Sequence, residues 1–226
     1  MALSIGFLVF PGLTQLDMTG PLQVLGRLPN ATCHIIAKTS APVKSDGALI
    51  IPPTTTFADC PKLDMICIPG GFGVPDAIRD AATVAFVKAR GAEAEWVTSV
   101  CTGAFLLGAA GLLKGKRATT HWAYRDLLPL VGASPGGARV IRDGNVFTGG
   151  GVTAGIDFAL TIAAELASPG AAQSIQLALE YDPAPPFDAG SPKFAPEPVK
   201  QRLDAAYAPS REAMRAALTS DERRPT

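Results

Sequence analysis

Short apolar runs alternate with helix-like segments along most of this chain, and the alternation limits the folds open to it. Residues 3–10 are almost all apolar and end at Pro11-Gly12, and residues 64–68 end at Pro69-Gly70-Gly71. A nearly continuous apolar strand is typical of a parallel sheet covered on both faces. We therefore predict an α/β protein with a doubly wound, mostly parallel sheet and helices on both faces.

Cys101 is the most informative single position. Residues 94–100 lead into a short β-prone run and residues 104–113 form an apolar helical stretch, so this cysteine falls where a buried strand turns into a helix. The small residues Gly103 and Ala104 allow a tight turn, as in a nucleophile elbow with sulfur in place of oxygen. A helix N-terminus favours the thiolate, which is the attacking form. We expect a reactive Cys101, although free cysteines are usually small buried hydrophobes.

Two other positions fall at the same edge of the predicted sheet. Asp17 lies near the start of a helix expected from Thr14 to Leu25, and Gly71 follows the strand at residues 64–68. Ligands of doubly wound sheets bind at the carboxyl ends of the strands. A carboxyl among apolar residues and near a buried thiolate is disfavoured as an anion, so we expect Asp17 to carry a proton. The alternative that Asp17 merely caps its helix stays open.

A cysteine hydrolase normally pairs its cysteine with a histidine base, and this chain has only His34 and His121. His34 lies inside an expected strand and is interpreted as a packed or edge residue. His121 opens an expected helix, where packing or capping is favoured over catalysis. Thr102 can donate a hydrogen bond but is no base. Asp17 is therefore the remaining ionisable partner for Cys101.

Length and composition favour work on small molecules. The chain of 226 residues fits one large α/β domain, and 20 basic residues balance 20 acidic ones, so nothing points to nucleic acid or an acidic membrane. The four cysteines lack metal-site spacing, which predicts free thiols in a reducing cytoplasm. We expect no signal peptide, and no apolar run reaches the ~18 residues of a membrane span.

The remaining segments complete the expected organisation. We predict hairpins at residues 43–51 and 139–148, helices at 75–92 and 152–167, and a turn at Gly149-Gly150-Gly151. A proline-rich stretch at 183–198 should wrap an outer surface before a last helix at 198–218, and the charged tail at 221–224 should be frayed. The predicted α/β domain spans residues 1–190, and residues 191–226 form an extension packed on it.

Several motifs taken together resemble the ThiJ/PfpI superfamily and, within it, the isocyanide-hydrating enzymes. The likeness extends from Leu3 to about Ser191, and the motifs that carry it are Gln15-Leu16-Asp17, Gly70-Gly71, Val100-Cys101-Thr102-Gly103, Ala118-Thr119-Thr120-His121-Trp122, Thr148 to Asp157 and Tyr181 to Phe187. The resemblance implies a flavodoxin-like fold, a homodimer, and no metal or organic cofactor. Protease-like and glyoxalase-like relatives carry histidine directly after the cysteine, so Thr102 argues against those activities.

The resemblance also implies a reaction, the conversion of an isocyanide and water into an N-substituted formamide. Cys101 would form a covalent thioimidate, with Asp17 as general acid and then base. Backbone N–H groups of Gly71 and Thr102 would stabilise charge on the tetrahedral intermediate. Gly150 and Gly151 could let the following helix shift when Cys101 changes charge, although a simple tight turn is the favoured interpretation.

Two other classes of function stay open at this stage. One is a thiol-based stress sensor or a glyoxalase-like or deglycase-like repair enzyme that uses Cys101 on peroxide or methylglyoxal. The other is a ligand-sensing regulatory module without DNA contact, because regulators with a similar front half carry a helix-turn-helix domain of roughly a hundred residues. Only about 40 residues follow Pro186 here, without a basic recognition helix.

Overall fold

The computed structural model describes residues 3–220. The elements in chain order are β1 (Leu3–Leu8), α1 (Gln15–Leu25), β2 (Ala31–Ala37), β3 (Val43–Lys44), β4 (Ile50–Ile51), β5 (Thr55–Thr56), β6 (Met65–Ile68), α2 (Val74–Arg79), α3 (Ala81–Glu93), β7 (Trp96–Val100), α4 (Gly103–Ala109), β8 (Arg117–Ala118), a 3₁₀ helix (Trp122–Val131), β9 (Ser134–Pro135), β10 (Val140–Asp143), β11 (Val146–Gly149), α5 (Ala154–Leu166), α6 (Pro169–Ala178) and α7 (Glu197–Thr219).

The central sheet has the strand order β10-β11-β7-β6-β1-β2-β5. Every neighbouring pair in it is parallel except the β10–β11 hairpin at one edge. Strand order reverses at β1, which lies between β2 and β6, and this reversal is the switch point of a flavodoxin-like sheet. The predicted doubly wound α/β fold is therefore confirmed.

Helices pack in two groups around this sheet. Helix α1 lies against α5, which in turn contacts α6, whereas α4 contacts α2 and α3. Between them the strands are buried, and Phe7, Phe105, Phe147 and Phe158 are among the largest side chains with almost no solvent exposure. Strands covered on both faces explain why β1 and β6 are apolar at nearly every position.

Local differences from the expected elements have simple causes. The helix expected at 75–92 is broken into α2 and α3, because Asp80 adopts an extended backbone with ψ of 101°. Helix α6, which the sequence reading missed, begins at a serine cap followed by Pro169. The segment that opens at His121 is a 3₁₀ helix rather than an α-helix. The last helix is confirmed as α7, and the tail expected to fray at 221–224 lies outside the described residues.

Helix α7 packs back onto α2 and the 3₁₀ helix. Met214 and Ala217 of this helix are buried. None of the helices within residues 3–220 combines the length and apolar character needed to cross a membrane.

Candidate active site

Cys101 sits at the junction predicted for it, between the end of β7 and the start of α4. Its backbone is left-handed, with φ of 55°, and only 5% of the residue is exposed. The Cys101 N–H donates to the carbonyl oxygens of Gly149 (3.1 Å) and Gly150 (2.8 Å), and its carbonyl accepts from the Thr120 hydroxyl at 2.7 Å. These bonds fix a backbone conformation that is uncommon for a residue with a side chain.

Asp17 turns its carboxyl away from its own helix and towards the end of β6. Its Oδ2 accepts a hydrogen bond from the Gly70 N–H at 2.8 Å, so the open alternative of simple helix capping does not describe this residue. The other oxygen, Oδ1, is buried and accepts no hydrogen bond within residues 3–220. The Cys101 thiol lies beside the carboxyl and the two groups perturb each other, without forming a well-aligned hydrogen bond.

Burial controls the protonation of both groups. Desolvation raises the pKa of Asp17 to about 7, against the opposing effects of the Gly70 N–H and the Cys101 thiol. The same cause raises the pKa of the Cys101 thiol well above its usual value, and the Asp17 charge raises it further. The raised pKa of Asp17 agrees with the expectation that its carboxyl holds a proton more strongly than usual, whereas the raised pKa of Cys101 argues against the expected thiolate. Helix α4 has only seven residues, and its dipole is outweighed by the loss of solvent.

Gly71 and Thr102 meet next to the sulfur. The Gly71 N–H donates to the Thr102 hydroxyl oxygen at 3.0 Å, so in this arrangement that N–H is already engaged. Gly71 has φ of +135°, and a Cβ there would lie 2.4 Å from the Gly12 carbonyl oxygen, so only glycine fits. The Thr102 N–H and hydroxyl both lie close enough to lower the pKa of Cys101.

The two histidines do not supply a base to this site. His121 uses its Nδ1 to accept the Ala123 N–H at 3.3 Å, which is the capping role favoured from the sequence. Burial, followed by the charge of Arg125, lowers the pKa of His121 to about 4, so its ring is neutral near pH 7. His34 lies in β2, away from the cavity-lining residues. Within residues 3–220 no group of three or more His, Cys, Asp or Glu side chains could hold a metal ion.

The glycine turn at residues 149–151 is tied to Cys101 through its backbone. Gly150 accepts from the Cys101 N–H and donates to the Arg139 carbonyl at 2.8 Å. A Cβ at Gly151 would lie 2.8 Å from the His121 ring, whereas one at Gly150 would meet nothing closer than 3.4 Å. The close approach of His121 therefore explains the glycine at 151, and the hinge role suggested for both glycines stays a prediction.

Residues 3–165 match the DJ-1/PfpI family. The chain belongs to the DJ-1/PfpI family. It is 59% identical to the isonitrile hydratase of Pseudomonas putida over 210 residues, which are 93% of this chain and 92% of that protein. A ThiJ/PfpI family protein from Pseudomonas syringae has a solved structure that matches with a TM-score of 0.95 and 47% identity, covering 97% of this chain and 92% of the other.

A transcriptional regulator is similar to part of this chain. The HTH-type transcriptional regulator GbdR of Pseudomonas aeruginosa is 29% identical over 168 residues, which are 70% of this chain but only 45% of that regulator. The family match and the two Pseudomonas relatives confirm the resemblance to the ThiJ/PfpI superfamily and, within it, to the isocyanide-hydrating enzymes.

Sequence reasoning missed most of the cavity around Cys101 in this DJ-1/PfpI chain. The cavity has a volume of about 190 Å³, and its walls are predominantly apolar. Besides Cys101, Gly71 and Thr102, the lining residues are Thr14, Asp46, Phe72, His121, Tyr124, Val152 and Tyr207. These come from loops, the 3₁₀ helix and α7, so no local pattern joins them. The aromatic residues themselves were the available signal, since the chain has only three tyrosines and two of them lie here.

Proposed function

We propose that this protein is an enzyme that hydrates isocyanides to N-substituted formamides. Two observations support the proposal together. One is the 59% identity, over nearly the whole length of both chains, to a protein named isonitrile hydratase. The other is the buried pair of Cys101 and Asp17, in which the carboxyl has a pKa of about 7 and no imidazole is positioned as a base. The buried thiol–carboxyl pair is the observation that carries the mechanism.

In the first step, the isocyanide carbon receives a sulfur and a proton. Cys101 faces the cavity, while Asp17 is fully buried beside the sulfur. Because Oδ2 accepts from Gly70, the acidic proton of a neutral Asp17 belongs on Oδ1, which has no hydrogen-bond partner within residues 3–220. We propose that Oδ1 gives this proton to the carbon while Sγ bonds to it, and that the carboxyl receives the thiol proton. The product is a neutral thioimidate, R–N=CH–S–Cys101, and Asp17 is neutral again.

In the second step, water adds to the thioimidate carbon, and the thioimidate nitrogen takes up a proton. Asp17 accepts one proton from the water and returns one to the nitrogen, which gives R–NH–CH(OH)–S–Cys101. Collapse of this intermediate breaks the C–S bond, and the hydroxyl proton returns to sulfur through the carboxyl. The products are R–NH–CHO and the free thiol, so one water is consumed and no electron donor or acceptor takes part. A carboxyl whose pKa is near 7 can act in both directions at neutral pH.

Thr102 and Gly71 would stabilise charge during the addition of water. The Thr102 N–H is beside the sulfur and can donate to the developing oxygen. The Gly71 N–H is bound to the Thr102 hydroxyl, so its proposed contribution is indirect. It orients that hydroxyl, which in this arrangement donates to the Gly71 carbonyl oxygen at 3.4 Å and would have to turn from it to donate to the developing oxygen. Thr102→Val should therefore lower kcat by about 10-fold to 100-fold while the fold is kept.

The test is turnover of cyclohexyl isocyanide and p-nitrophenyl isocyanide, with the formamide measured by mass spectrometry. Cys101→Ala should abolish turnover and the covalent mass increase, whereas Cys33→Ala, at another free cysteine, is the matched control and should retain both. Asp17→Asn should lower kcat by at least about 100-fold, since proton transfer of this kind contributes 10² to 10⁴. Formation of formamide by Cys101→Ala, or full activity of Asp17→Asn, would contradict the mechanism.

Parallel assays distinguish the two rival functions, which are a thiol-based sensor or repair enzyme and a ligand-sensing module. A peroxide sensor works through an exposed thiolate, and the raised pKa and burial of Cys101 argue against that role. Consumption of methylglyoxal without isocyanide turnover would favour the repair enzymes. Tight binding of an isocyanide or another small ligand without turnover would favour a sensing module, as the partial match to a transcriptional regulator allows.

The proposal also covers the oligomeric state of the protein and its cellular compartment. We propose a homodimer, which the family resemblance implies. We also propose a location in the cytoplasm, in keeping with four free cysteines within residues 3–220. Light scattering at micromolar concentration tests the dimer, and a monomeric mass would contradict it.

A further inference from the structure

Helix α7 brings a side chain to the cavity from outside the segment that matches the family. The family match ends at residue 165, whereas α7 runs from Glu197 to Thr219. Tyr207 is the residue of α7 that lines the cavity together with Cys101. The reacting groups and this part of the wall therefore belong to separate parts of the chain.

Tyr207 lies at the centre of an aromatic cluster. Its ring centroid is 5.2 Å from that of His121, 6.0 Å from those of Trp122 and Tyr124, and 6.4 Å from that of Phe72. Separations of this size are typical of packed aromatic pairs. The side chain is thus held by neighbours on several sides, and it forms a fixed wall rather than a freely rotating one.

The helix that carries Tyr207 is anchored within its next two turns. Ser210 Oγ is 2.5 Å from the Tyr124 hydroxyl, and Arg211 makes a bidentate ion pair with Asp126 at 2.9 and 2.8 Å. Met214 follows on the same face and is almost fully buried. The spacing of three, four and seven residues places all these anchors on one side of α7 with Tyr207. The position of the Tyr207 ring is therefore set by the docking of the helix.

The size of the cavity limits what can reach Cys101. Its volume of about 190 Å³ is below the roughly 300–1,000 Å³ of pockets for drug-sized ligands. A dry apolar cavity of about 150 Å³ in another protein holds benzene. The cavity beside Cys101 is open to solvent on one side, and the space within its walls is suited to an apolar group of about one six-membered ring.

We infer that Tyr207 is a specificity-determining residue, whose ring forms one wall of the open cavity and disfavours isocyanides with an R group larger than about one six-membered ring. The inference names the substrate class of the proposed hydratase and rests on that function. Tyr207 touches neither the proton on Asp17 nor the reacting carbon in this scheme. Replacing Tyr207 should therefore change the selectivity between R groups more than it changes the rate for an isocyanide with a small R group.

The test is the ratio of kcat/KM for 2-naphthyl isocyanide to that for cyclohexyl isocyanide. Tyr207→Ala should raise this ratio by about 10-fold or more, because a pocket contact of this kind is worth 10-fold to 200-fold in selectivity. Tyr207→Leu, with intermediate volume, should give an intermediate rise, and Tyr207→Phe should keep the wild-type ratio. Leu203→Ala, on the same helix and 39% exposed, is the matched control and should leave the ratio unchanged. An unchanged ratio in both Tyr207→Ala and Tyr207→Leu would overturn the inference.

A second measurement separates this inference from the proposed function. Cys101 is alkylated with N-ethylmaleimide and with N-(1-pyrenyl)maleimide, and the modified peptide is quantified by mass spectrometry. Tyr207→Ala should accelerate the pyrenyl reagent about 10-fold relative to the ethyl reagent, whereas Tyr207→Phe should not. If the wild type hydrates neither isocyanide, the proposed function fails, and the alkylation ratio still decides whether Tyr207 limits access. Equal acceleration of both reagents would mean that α7 only shields the site in general, and that result also overturns the inference.

Discussion

Replacing Asp17 by asparagine should stabilise the fold at high pH while it destroys activity. The amide is close in shape to the carboxyl, and its oxygen can still accept the Gly70 N–H. Wild-type Asp17 has a pKa raised from 3.8 to about 7, so its ionisation costs the folded protein about 4 kcal/mol more than it costs the unfolded chain. Asparagine cannot ionise and avoids that cost.

The sign of the pH dependence follows from which state holds the proton. Between pH 3.8 and about 7 the folded wild type keeps a proton on Asp17 that the unfolded chain releases, so stability falls as pH rises through this window. Above about pH 7 both states are ionised and the loss is complete. The penalty is about 1.5–2 kcal/mol at pH 5 and about 4 kcal/mol at pH 8. The advantage of Asp17→Asn should therefore grow by about 2.5 kcal/mol between these two pH values.

Urea denaturation of both proteins at pH 5 and pH 8 measures this growth. The comparison at each pH cancels the other titrating groups, including His121. Asp188→Asn, which removes a solvent-exposed carboxyl, controls for the loss of one negative charge. If the stability difference between Asp17→Asn and wild type is the same at both pH values, or shrinks at pH 8, then the pKa of Asp17 is not raised in the folded protein. The acid assigned to the hydration step would fail with it.

Further predictions address the frame of the site. Gly71→Ala should destabilise the fold by about 2 kcal/mol or more in urea denaturation, since φ of +135° and a contact at 2.4 Å exclude a side chain. Gly150→Ala should fold with nearly wild-type stability, whereas Gly151→Ala should shift the His121 ring and lower Tm. Unchanged pre-steady-state kinetics in Gly150→Ala would exclude the hinge role suggested for Gly150. Arg211→Ala should cost less than about 1 kcal/mol, yet increase proteolysis near α7. His121→Asn should flatten the loss of stability between pH 6.5 and 4, because burial lowers the pKa of His121 to about 4.

Much of the fold could be predicted because its signals are local. The apolar runs of β1 and β6 and the turn glycines after them are visible in the sequence, and they predicted both the parallel sheet and the edge where Cys101 and Asp17 meet. The break at Asp80 was missed because apolar spacing continues on both sides of it.

The protonation of Cys101 and the aromatic wall depend on distant parts of the chain. A helix N-terminus predicted a thiolate, but the pKa is raised by burial, which only the packed structure reveals. The aromatic wall required Tyr207, 106 positions from Cys101, to fold back through α7. The pattern of neighbouring residues in the sequence does not predict that α7 packs back against the cavity.

The left-handed backbone at Cys101 has a practical consequence for chemical probes. Its N–H and carbonyl are both bound to neighbouring segments, so the Cα–Cβ direction changes little when the sulfur carries a new substituent. An electrophile reaches the sulfur through the cavity that Cys101 lines. Probe design can therefore hold the warhead constant and vary only the group that faces the aromatic wall.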